Sequence, residues 1–277
     1  MTVQADAETF RRLHQRDLGS ILVLPNAWDA MSARMVELAG ARAIATTSSG
    51  ASWSLGRRDG EGLTRDEMIG VVRRIVATVR VPVTADVEGG YGNGSADAVA
   101  ETVRAVIGAG AVGINLEDTS AGNALSLIET SAQAERISAA RKAADAEGVM
   151  LYINARTDAY LNAIGALDGR FDESVRRAHI YMEAGASGIF VPGVVDAATI
   201  ERLAGAIAAP LNILAAPGAP NTSELFQLGV ARVSVGGALT RSVMAHIRTA
   251  AEELFRDGTY DSLRGGIPFA EADGLFA

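Results

Sequence analysis

Three carboxylates come directly after two neighbouring apolar runs, where one bound cation could serve all of them. Asp86 and Glu88 follow residues 81–85, and Glu117 follows residues 113–116. Like charges gathered at one place are unstable unless a cation neutralises them. Oxygen ligands without cysteine or histidine nearby favour a hard ion, so we expect Mg²⁺ before Mn²⁺. Any one of these residues alone is better explained as a helix N-cap or half of a surface ion pair. The three together favour a metal site.

Arg156 follows another strongly apolar run, residues 150–155. Its planar guanidinium can hold a substrate carboxylate through two parallel hydrogen bonds. A salt bridge to Asp158 or Glu117 would explain this arginine nearly as well. The sequence therefore predicts a cation beside the metal site and leaves its partner open.

A third polar element follows residues 43–47 and consists of Ser48, Ser49 and Gly50. Its hydroxyls and backbone N–H groups could bind an anion. The alternative is an ordinary turn, because serine and glycine are common in turns.

Eight short apolar runs, each closed by a polar or glycine-rich turn, must position these residues. They are residues 21–25, 43–47, 81–85, 113–116, 150–155, 188–191, 211–215 and 232–235. Such runs are typical of parallel strands buried on both faces, and amphipathic segments such as 96–108 and 172–184 lie between them. The alternation predicts a single (β/α)8 TIM-type barrel. Its active site would lie at the carboxyl ends of the strands, where the polar residues stand. A doubly wound open sheet is the alternative, but neither a switch point nor a second domain is evident.

We expect residues 1–277 to form one domain. Residues 1–18 would contain an additional N-terminal helix, residues 19–240 the barrel, and residues 241–277 a C-terminal helix and tail. The tail contains Ile267, Phe269 and Phe276 but no strand of its own. We therefore expect it to pack on a partner subunit.

The composition excludes several classes of function. The formal net charge of −8 leaves no basic footprint for nucleic acid or an anionic membrane surface. The absence of cysteine excludes disulfides, thiolate metal sites and cysteine nucleophiles. The apolar runs are too short to span a bilayer, and the N-terminus is unlike a signal peptide. We expect a cytoplasmic protein.

Five segments, in this order, resemble the isocitrate lyase/phosphoenolpyruvate mutase superfamily. They are LPNAWDAMSARMVELAGARAIATTSSG, LGRRDGEGLTRDEM, VTADVEGGYGN, GINLED and NARTDAY. The similarity extends from about residue 10 to residue 260. It implies a (β/α)8 barrel whose last helix is exchanged between subunits, in a homodimer or homotetramer. It also implies a small 2-oxo carboxylate substrate held on Mg²⁺.

The resemblance assigns roles to individual residues. It makes Asp86 the main metal ligand, with Glu88 and Glu117 binding directly or through water. Ser48, Ser49 and Gly50 resemble the element that grips the substrate carboxylate, and Arg156 resembles an arginine that faces the same ligand. Asp59 matches an aspartate beside the reacting group in the mutases. The mutases carry aspartate at the position of Glu88.

The loop after Glu117 departs from the pattern of the thiol-dependent lyases. Isocitrate and methylisocitrate lyases carry a Lys-Lys/Arg-Cys-Gly-His loop there, whereas this chain has no cysteine, histidine or lysine in residues 118–124. These two activities are therefore not expected. In the mutases and phosphonopyruvate hydrolases an asparagine of this loop contacts the substrate, and Asn123 could take that part.

These features predict a Mg²⁺-dependent lyase or decarboxylase that cleaves a C–C bond beside a 2-oxo carboxylate, with an oxaloacetate-like or substituted malate-like substrate. Asp59, Arg156 and Asn123 are the predicted catalytic residues, and Ser48, Ser49, Gly50 and Asp86 the other substrate contacts. Two alternatives remain open. One is a phosphonomutase or phosphonopyruvate hydrolase, and the other is a 2-oxo acid binding protein without catalysis.

Overall fold

The computed structural model describes residues 2–120 and 123–276, and of residues 18, 120, 123 and 124 it describes only the backbone. Eleven strands lie in these ranges. They are β1 (Leu22–Leu24), β2 (Asn26–Ala27), β3 (Ile44–Thr46), β4 (Val83–Asp86), β5 (Gly113–Glu117), β6 (Thr119–Ser120), β7 (Asn123–Leu127), β8 (Tyr152–Arg156), β9 (Gly188–Val191), β10 (Leu211–Leu214) and β11 (Arg232–Ser234).

Nine of these strands form one parallel sheet in the order β1-β11-β10-β9-β8-β5-β4-β3-β2. The two ends of the sheet, β1 and β2, are separated in the chain by Pro25 alone. Because proline lacks a backbone N–H, it interrupts the ladder without ending the strand. Strands β1 and β2 are therefore two parts of one strand, and the sheet closes into a barrel with eight strand positions. The predicted TIM-type barrel is confirmed.

Helices follow the strands and surround the barrel. They are α1 (Val3–Leu13), α2 (Ala30–Leu38), α3 (Ser48–Ser54), α4 (Arg65–Thr78), α5 (Ala96–Gly108), α6 (Thr130–Ala146), α7 (Gly169–Glu183), α8 (Ala197–Ala206), α9 (Thr222–Gln227), α10 (Ala238–Arg256) and α11 (Phe269–Gly274). Capping boxes begin α2, α4 and α9. Gly40, Gly110 and Gly185 follow helices with φ between 91° and 107°, a conformation that favours glycine.

The strands carry two kinds of side chain at alternate positions. Ile114 and Leu116 of β5 belong to the apolar core, whereas Asn115 between them lines a cavity inside the barrel. Helix α1 contributes Phe10 and His14, whose rings lie 5.5 and 3.7 Å from the ring of Tyr152. The helices are thus bound to the barrel by apolar contacts while its interior is largely polar.

The segment after the barrel exposes apolar side chains. Phe255 at the end of α10 is 91% exposed and Phe269 of α11 is 86% exposed. Other exposed apolar residues of this segment are Val243, Met244, Ile247, Leu254, Leu263, Ile267 and Phe276. In the described part of the chain, no helix has the length and apolar character needed to cross a membrane.

Candidate active site

A cavity of about 210 Å³ lies at the carboxyl ends of the barrel strands. Its walls include five residues predicted from the sequence, namely Ser48, Ser49, Asp59, Asp86 and Arg156. Residues from all eight strand positions and several of their following loops meet here, as expected for the catalytic end of a TIM barrel.

Asp86 ends β4, and its carboxylate lies in the cavity wall. One oxygen accepts a hydrogen bond from the backbone N–H of Ser48 at 3.0 Å, and the other from the side-chain amide of Asn115 at 3.2 Å. The backbone N–H of Asp86 donates to the Thr46 hydroxyl at 2.8 Å. The two groups that bind the carboxylate are neutral, so these hydrogen bonds position it without neutralising its charge.

Glu88 is buried two residues further on, in a left-handed backbone conformation with φ of 49°. Its carboxylate accepts hydrogen bonds from the backbone N–H of Glu61 and from the Tyr91 hydroxyl, the latter at 3.2 Å. Burial raises the pKa of Glu88 to about 7, and Asp86 adds to this effect. Glu88 therefore connects two loops beside the cavity.

Arg156 ends β8 and is held between two carboxylates. It meets Glu117 at 2.9 Å and Asp158 through two contacts of 2.6 and 3.0 Å. Burial acts to lower the pKa of Arg156, but Glu117 and Asp158 outweigh it and raise that pKa. Burial raises the pKa of Glu117 against the opposing effect of Arg156. The salt bridges that the sequence left open are both formed, and Arg156 still lines the cavity.

Asp59 reaches the cavity from the loop between α3 and α4. Burial raises the pKa of Asp59, as does Asp86, whereas hydrogen bonds from the Ser48 side chain and the Gly60 backbone act in the opposite direction. Asp59 and Asp86 thus face the same space, and Ser48 contacts both.

The Ser48–Gly50 element differs from a simple turn, because these residues form the first turn of α3. Ser49 contacts the Thr47 hydroxyl at 3.0 Å. Gly50 does not line the cavity. A Cβ at this position would lie 2.5 Å from the Thr240 hydroxyl, so glycine is needed for close packing. The side chain of Asn123 lies outside the described residues.

The donor set fits a hydrated Mg²⁺ ion. No three His, Cys, Asp or Glu side chains of the described residues could hold a metal by themselves. Asp86 nevertheless presents a carboxylate without an ionic partner, and it is close enough to Glu88 and Glu117 to raise the pKa of both. Protein Mg²⁺ sites often use one or two carboxylates and several waters. Asp86 would be the direct ligand, with Glu88 and Glu117 acting through water.

Sequence reasoning missed the polar residues inside the barrel strands. Asn115 binds Asp86, and the Asn154 amide donates to Asn115 at 3.0 Å. Arg232 of β11 also lines the cavity. The signal was present in the segments GINLE and YINAR, where the polar residues stand at every second position. That period is typical of side chains on one face of a strand.

The family model for phosphoenolpyruvate phosphomutase matches residues 10–255. Among curated proteins, the uncharacterised protein Rv1998c of Mycobacterium tuberculosis H37Rv is 35% identical over 263 residues, which are 95% of this chain and 94% of that protein. An oxaloacetate decarboxylase of Bradyrhizobium sp. BTAi1 is 29% identical over 280 residues, covering 99% of this chain and 91% of the enzyme.

Solved structures agree with this relationship. A Burkholderia cenocepacia J2315 protein superposes with a TM-score of 0.91 at 37% identity, covering 99% of this chain and 96% of that protein. A 2,3-dimethylmalate lyase of the superfamily superposes with a TM-score of 0.85 at 26% identity, covering 99% of this chain and 95% of that enzyme. The chain belongs to the isocitrate lyase/phosphoenolpyruvate mutase superfamily and is an enzyme of its lyase and mutase class.

Proposed function

We propose that this enzyme is a Mg²⁺-dependent lyase that cleaves a C–C bond adjacent to a small 2-oxo carboxylate unit, through an enolate. Oxaloacetate or a substituted malate relative is the expected substrate type. One observation carries the proposal: Asp86, which forms no salt bridge within the described part of the chain, and the fixed cation Arg156 line the same small cavity. A metal-binding carboxylate beside a carboxylate-binding cation suits a substrate with adjacent oxo and carboxylate groups.

Arg156 would orient the substrate carboxylate. A guanidinium has five N–H donors, and the contacts to Glu117 and Asp158 use Nη1, Nε and Nη2 once each. One N–H on each terminal nitrogen remains for the substrate. Because the two carboxylates already fix the guanidinium plane, little side-chain entropy is lost on binding.

Asp86 would hold the metal, with Glu88 and Glu117 binding it through water. When bound, Mg²⁺ supplies Lewis-acid stabilisation of the negative charge that develops on the substrate. In an oxaloacetate-like substrate the broken bond is C3–C4, so its electrons pass through C3 into the 2-oxo oxygen as CO2 leaves, and a proton must then reach C3. Asp59, or a water that it holds, would exchange that proton, since its carboxyl faces the same space as Asp86.

P–C bond chemistry is the second candidate, favoured by the phosphomutase family model and by Asp59 in the cavity. A phosphonate would require more positive charge than a carboxylate. Among the described lining residues the cations are Arg156 and Arg232, and Arg156 is already neutralised by two carboxylates. This supports the C–C lyase over the phosphonate enzyme. A 2-oxo acid binding protein without catalysis is the third candidate.

To test the proposal, the purified protein is added to a mixture of oxaloacetate, 2-oxoglutarate, substituted malates, phosphonopyruvate and phosphoenolpyruvate. The signals of each compound are followed by ¹H and ³¹P NMR, with and without Mg²⁺. Metal-dependent loss of a C–C substrate supports the proposal. Loss of phosphonopyruvate or phosphoenolpyruvate assigns P–C chemistry instead. Saturable line broadening of one 2-oxo acid without turnover identifies a binding protein.

A matched pair of variants shows whether any observed turnover uses this cavity. Asp86→Asn should abolish the Mg²⁺-dependent turnover. Asp97→Asn, at an exposed position of α5, should leave that turnover unchanged. Equal activity of the two variants would place the reaction elsewhere.

A further inference from the structure

Arg232 is a buried cation without a salt bridge to the described residues. It begins β11 and is 3% exposed. Its Nε and Nη1 atoms are buried without a hydrogen-bond partner. Burial lowers the pKa of Arg232 to about 10, so the guanidinium remains charged at neutral pH. A buried charge in this state is costly unless something neutralises it.

Several polar groups of the barrel interior near Arg232 have unused hydrogen-bonding capacity. Asn212 is its register partner on β10, and the Asn212 amide nitrogen is buried without a partner. The Asn212 carbonyl oxygen already accepts a hydrogen bond from Ser234 at 2.9 Å. The hydroxyls of Tyr152 and Thr84 are also buried without partners. Of these, Tyr152 lies close enough to affect the pKa of Arg232, as does Asp86 to a smaller extent, although Asp86 forms no salt bridge with it.

Two glycines leave room for these hydroxyls inside the barrel. A Cβ on Gly188 would collide with the Tyr152 hydroxyl, and one on Gly113 would lie 2.7 Å from the Thr84 hydroxyl. Thr84 and Arg232 also line the active-site cavity. The space around Arg232 inside the barrel therefore contains one cation and several amide and hydroxyl groups with unused donors.

We propose that this space is a second site, which holds a small monovalent anion such as chloride. The ion would accept hydrogen bonds from Arg232, the Asn212 amide, and the hydroxyls of Tyr152 and Thr84. Water could satisfy some of these donors, but it would not neutralise the guanidinium. An anion would also reduce the repulsion between Arg232 and a metal ion on Asp86. The site does not depend on the identity of the substrate.

Crystals grown or soaked in bromide provide the direct test, using anomalous scattering at the bromine edge and no substrate. We expect an anomalous peak within hydrogen-bonding distance of Arg232 and Asn212. A peak beside Arg156 or Ser48 alone would assign the halide to the substrate site and overturn the proposal. Water without an anomalous peak at Arg232 would overturn it as well.

A solution experiment tests the same site through thermal stability. Exchanging gluconate, which is too large for the space, for chloride at constant ionic strength should raise the Tm of the wild-type protein by roughly 2–4 °C. Arg232→Gln should abolish this dependence, and Arg73→Gln on the exposed face of α4 should retain it. A wild-type Tm independent of chloride, or an undiminished response of Arg232→Gln, would contradict the proposal. If Arg232→Gln does not fold, the bromide experiment on the wild-type protein decides.

Discussion

The two charged residues that dominate the cavity, Asp86 and Arg156, are held in different electrostatic states. Asp86 accepts hydrogen bonds only from the neutral groups of Ser48 and Asn115. Arg156 is paired with both Glu117 and Asp158. A carboxylate without a counter-charge attracts a cation, whereas a neutralised guanidinium acts mainly through the direction of its remaining N–H groups. The cavity is thus suited to bind a metal at Asp86 and to orient a carboxylate at Arg156.

Replacing Arg156 with lysine keeps the positive charge at this position but removes the planar guanidinium. We expect Arg156→Lys to raise KM for a 2-oxo acid about 10-fold or more, because lysine cannot reproduce the fork that is fixed by Asp158 and Glu117. Stability should fall by about 1–3 kcal/mol, since buried charged groups lose their partners. Steady-state kinetics and urea unfolding measure the two effects.

Arg176→Lys is the matched control for this change. Arg176 also pairs with a carboxylate, that of Glu173, but it is half exposed. Exposed ion pairs contribute only about 0–1 kcal/mol. Equal losses of stability in the two variants would show that burial of Arg156 is unimportant.

Replacing Asp59 with asparagine tests its role in proton transfer. The change keeps the shape of the side chain and an oxygen that can accept the hydrogen bond from Ser48. It removes the ionisable carboxyl that would exchange a proton with the substrate. We expect kcat to fall by about 100-fold or more. Binding of Mn²⁺, followed by electron paramagnetic resonance, should stay within about 2-fold of wild type. Full turnover in Asp59→Asn would discard this role.

Two loops next to the cavity are joined by two hydrogen bonds of Glu61, one to Glu88 and one from Tyr91. Glu61 belongs to the loop of residues 55–63 that carries Asp59, and Glu88 belongs to the loop after β4. The Glu61 backbone N–H donates to Glu88, and the Glu61 carboxylate accepts from the Tyr91 backbone N–H at 2.8 Å. Glu61 and Glu88 have φ values of 56° and 49°, which are unfavourable for residues other than glycine. We infer that this contact positions Asp59.

Removing the Glu61 carboxylate should therefore loosen both loops. We expect Glu61→Ala to increase hydrogen–deuterium exchange in residues 55–63 and 89–93 by about 10-fold, corresponding to about 1.4 kcal/mol of lost local stability. Turnover should fall with it, because Asp59 loses its support. Glu61→Gln keeps an oxygen that can accept from Tyr91, and should exchange nearly as slowly as wild type. Slow exchange in Glu61→Ala would contradict the positioning role.

The strands were predictable because each is a continuous apolar run. Strand β9 has the predicted bounds, and the other barrel strands begin or end within two residues of theirs. Helix α3 was not predicted, because serine and glycine disfavour helix and the packing of Gly50 against Trp28 and Thr240 depends on distant parts of the chain. The β6–β7 hairpin was also missed. Its strands are short, and its pairing is local to a loop.

The site was predictable in part for a similar reason. Residues that follow strands, such as Asp86 and Arg156, can be placed from the order of the strands alone. Arg232 and Asn115 lie within strands, and only closure of the barrel brings them to the cavity wall. The salt-bridge partner of Arg156 could not be predicted from the sequence either, because Asp158 and Glu117 are both within reach. In the structure Arg156 pairs with both.

At the scale of the whole molecule, the C-terminal segment leaves an apolar face uncovered. Helix α10 exposes Val243, Ile247 and Phe255 along its length, and Phe269 of α11 is nearly fully exposed. The chain as a whole is acidic, with a formal net charge of −8. Monomeric proteins rarely expose contiguous apolar surface of this kind. We propose that this face packs on a second copy of the chain, in a homodimer or homotetramer.

Introducing charge on this face should dissociate the oligomer. Burying one phenylalanine contributes about 2–3 kcal/mol, and a symmetric interface uses it twice, so Phe255→Glu should weaken association more than about 1,000-fold. Light scattering coupled to size-exclusion chromatography would then give a mass near 28.7 kDa for the variant and at least twice that for wild type. Leu167→Glu makes the same kind of change on the loop before α7, where the side chain is also exposed, and should leave the mass unchanged. A wild-type protein that is monomeric at micromolar concentration would refute this assembly. Dissociation by Leu167→Glu rather than Phe255→Glu would instead place the interface on the face of the barrel that carries the cavity.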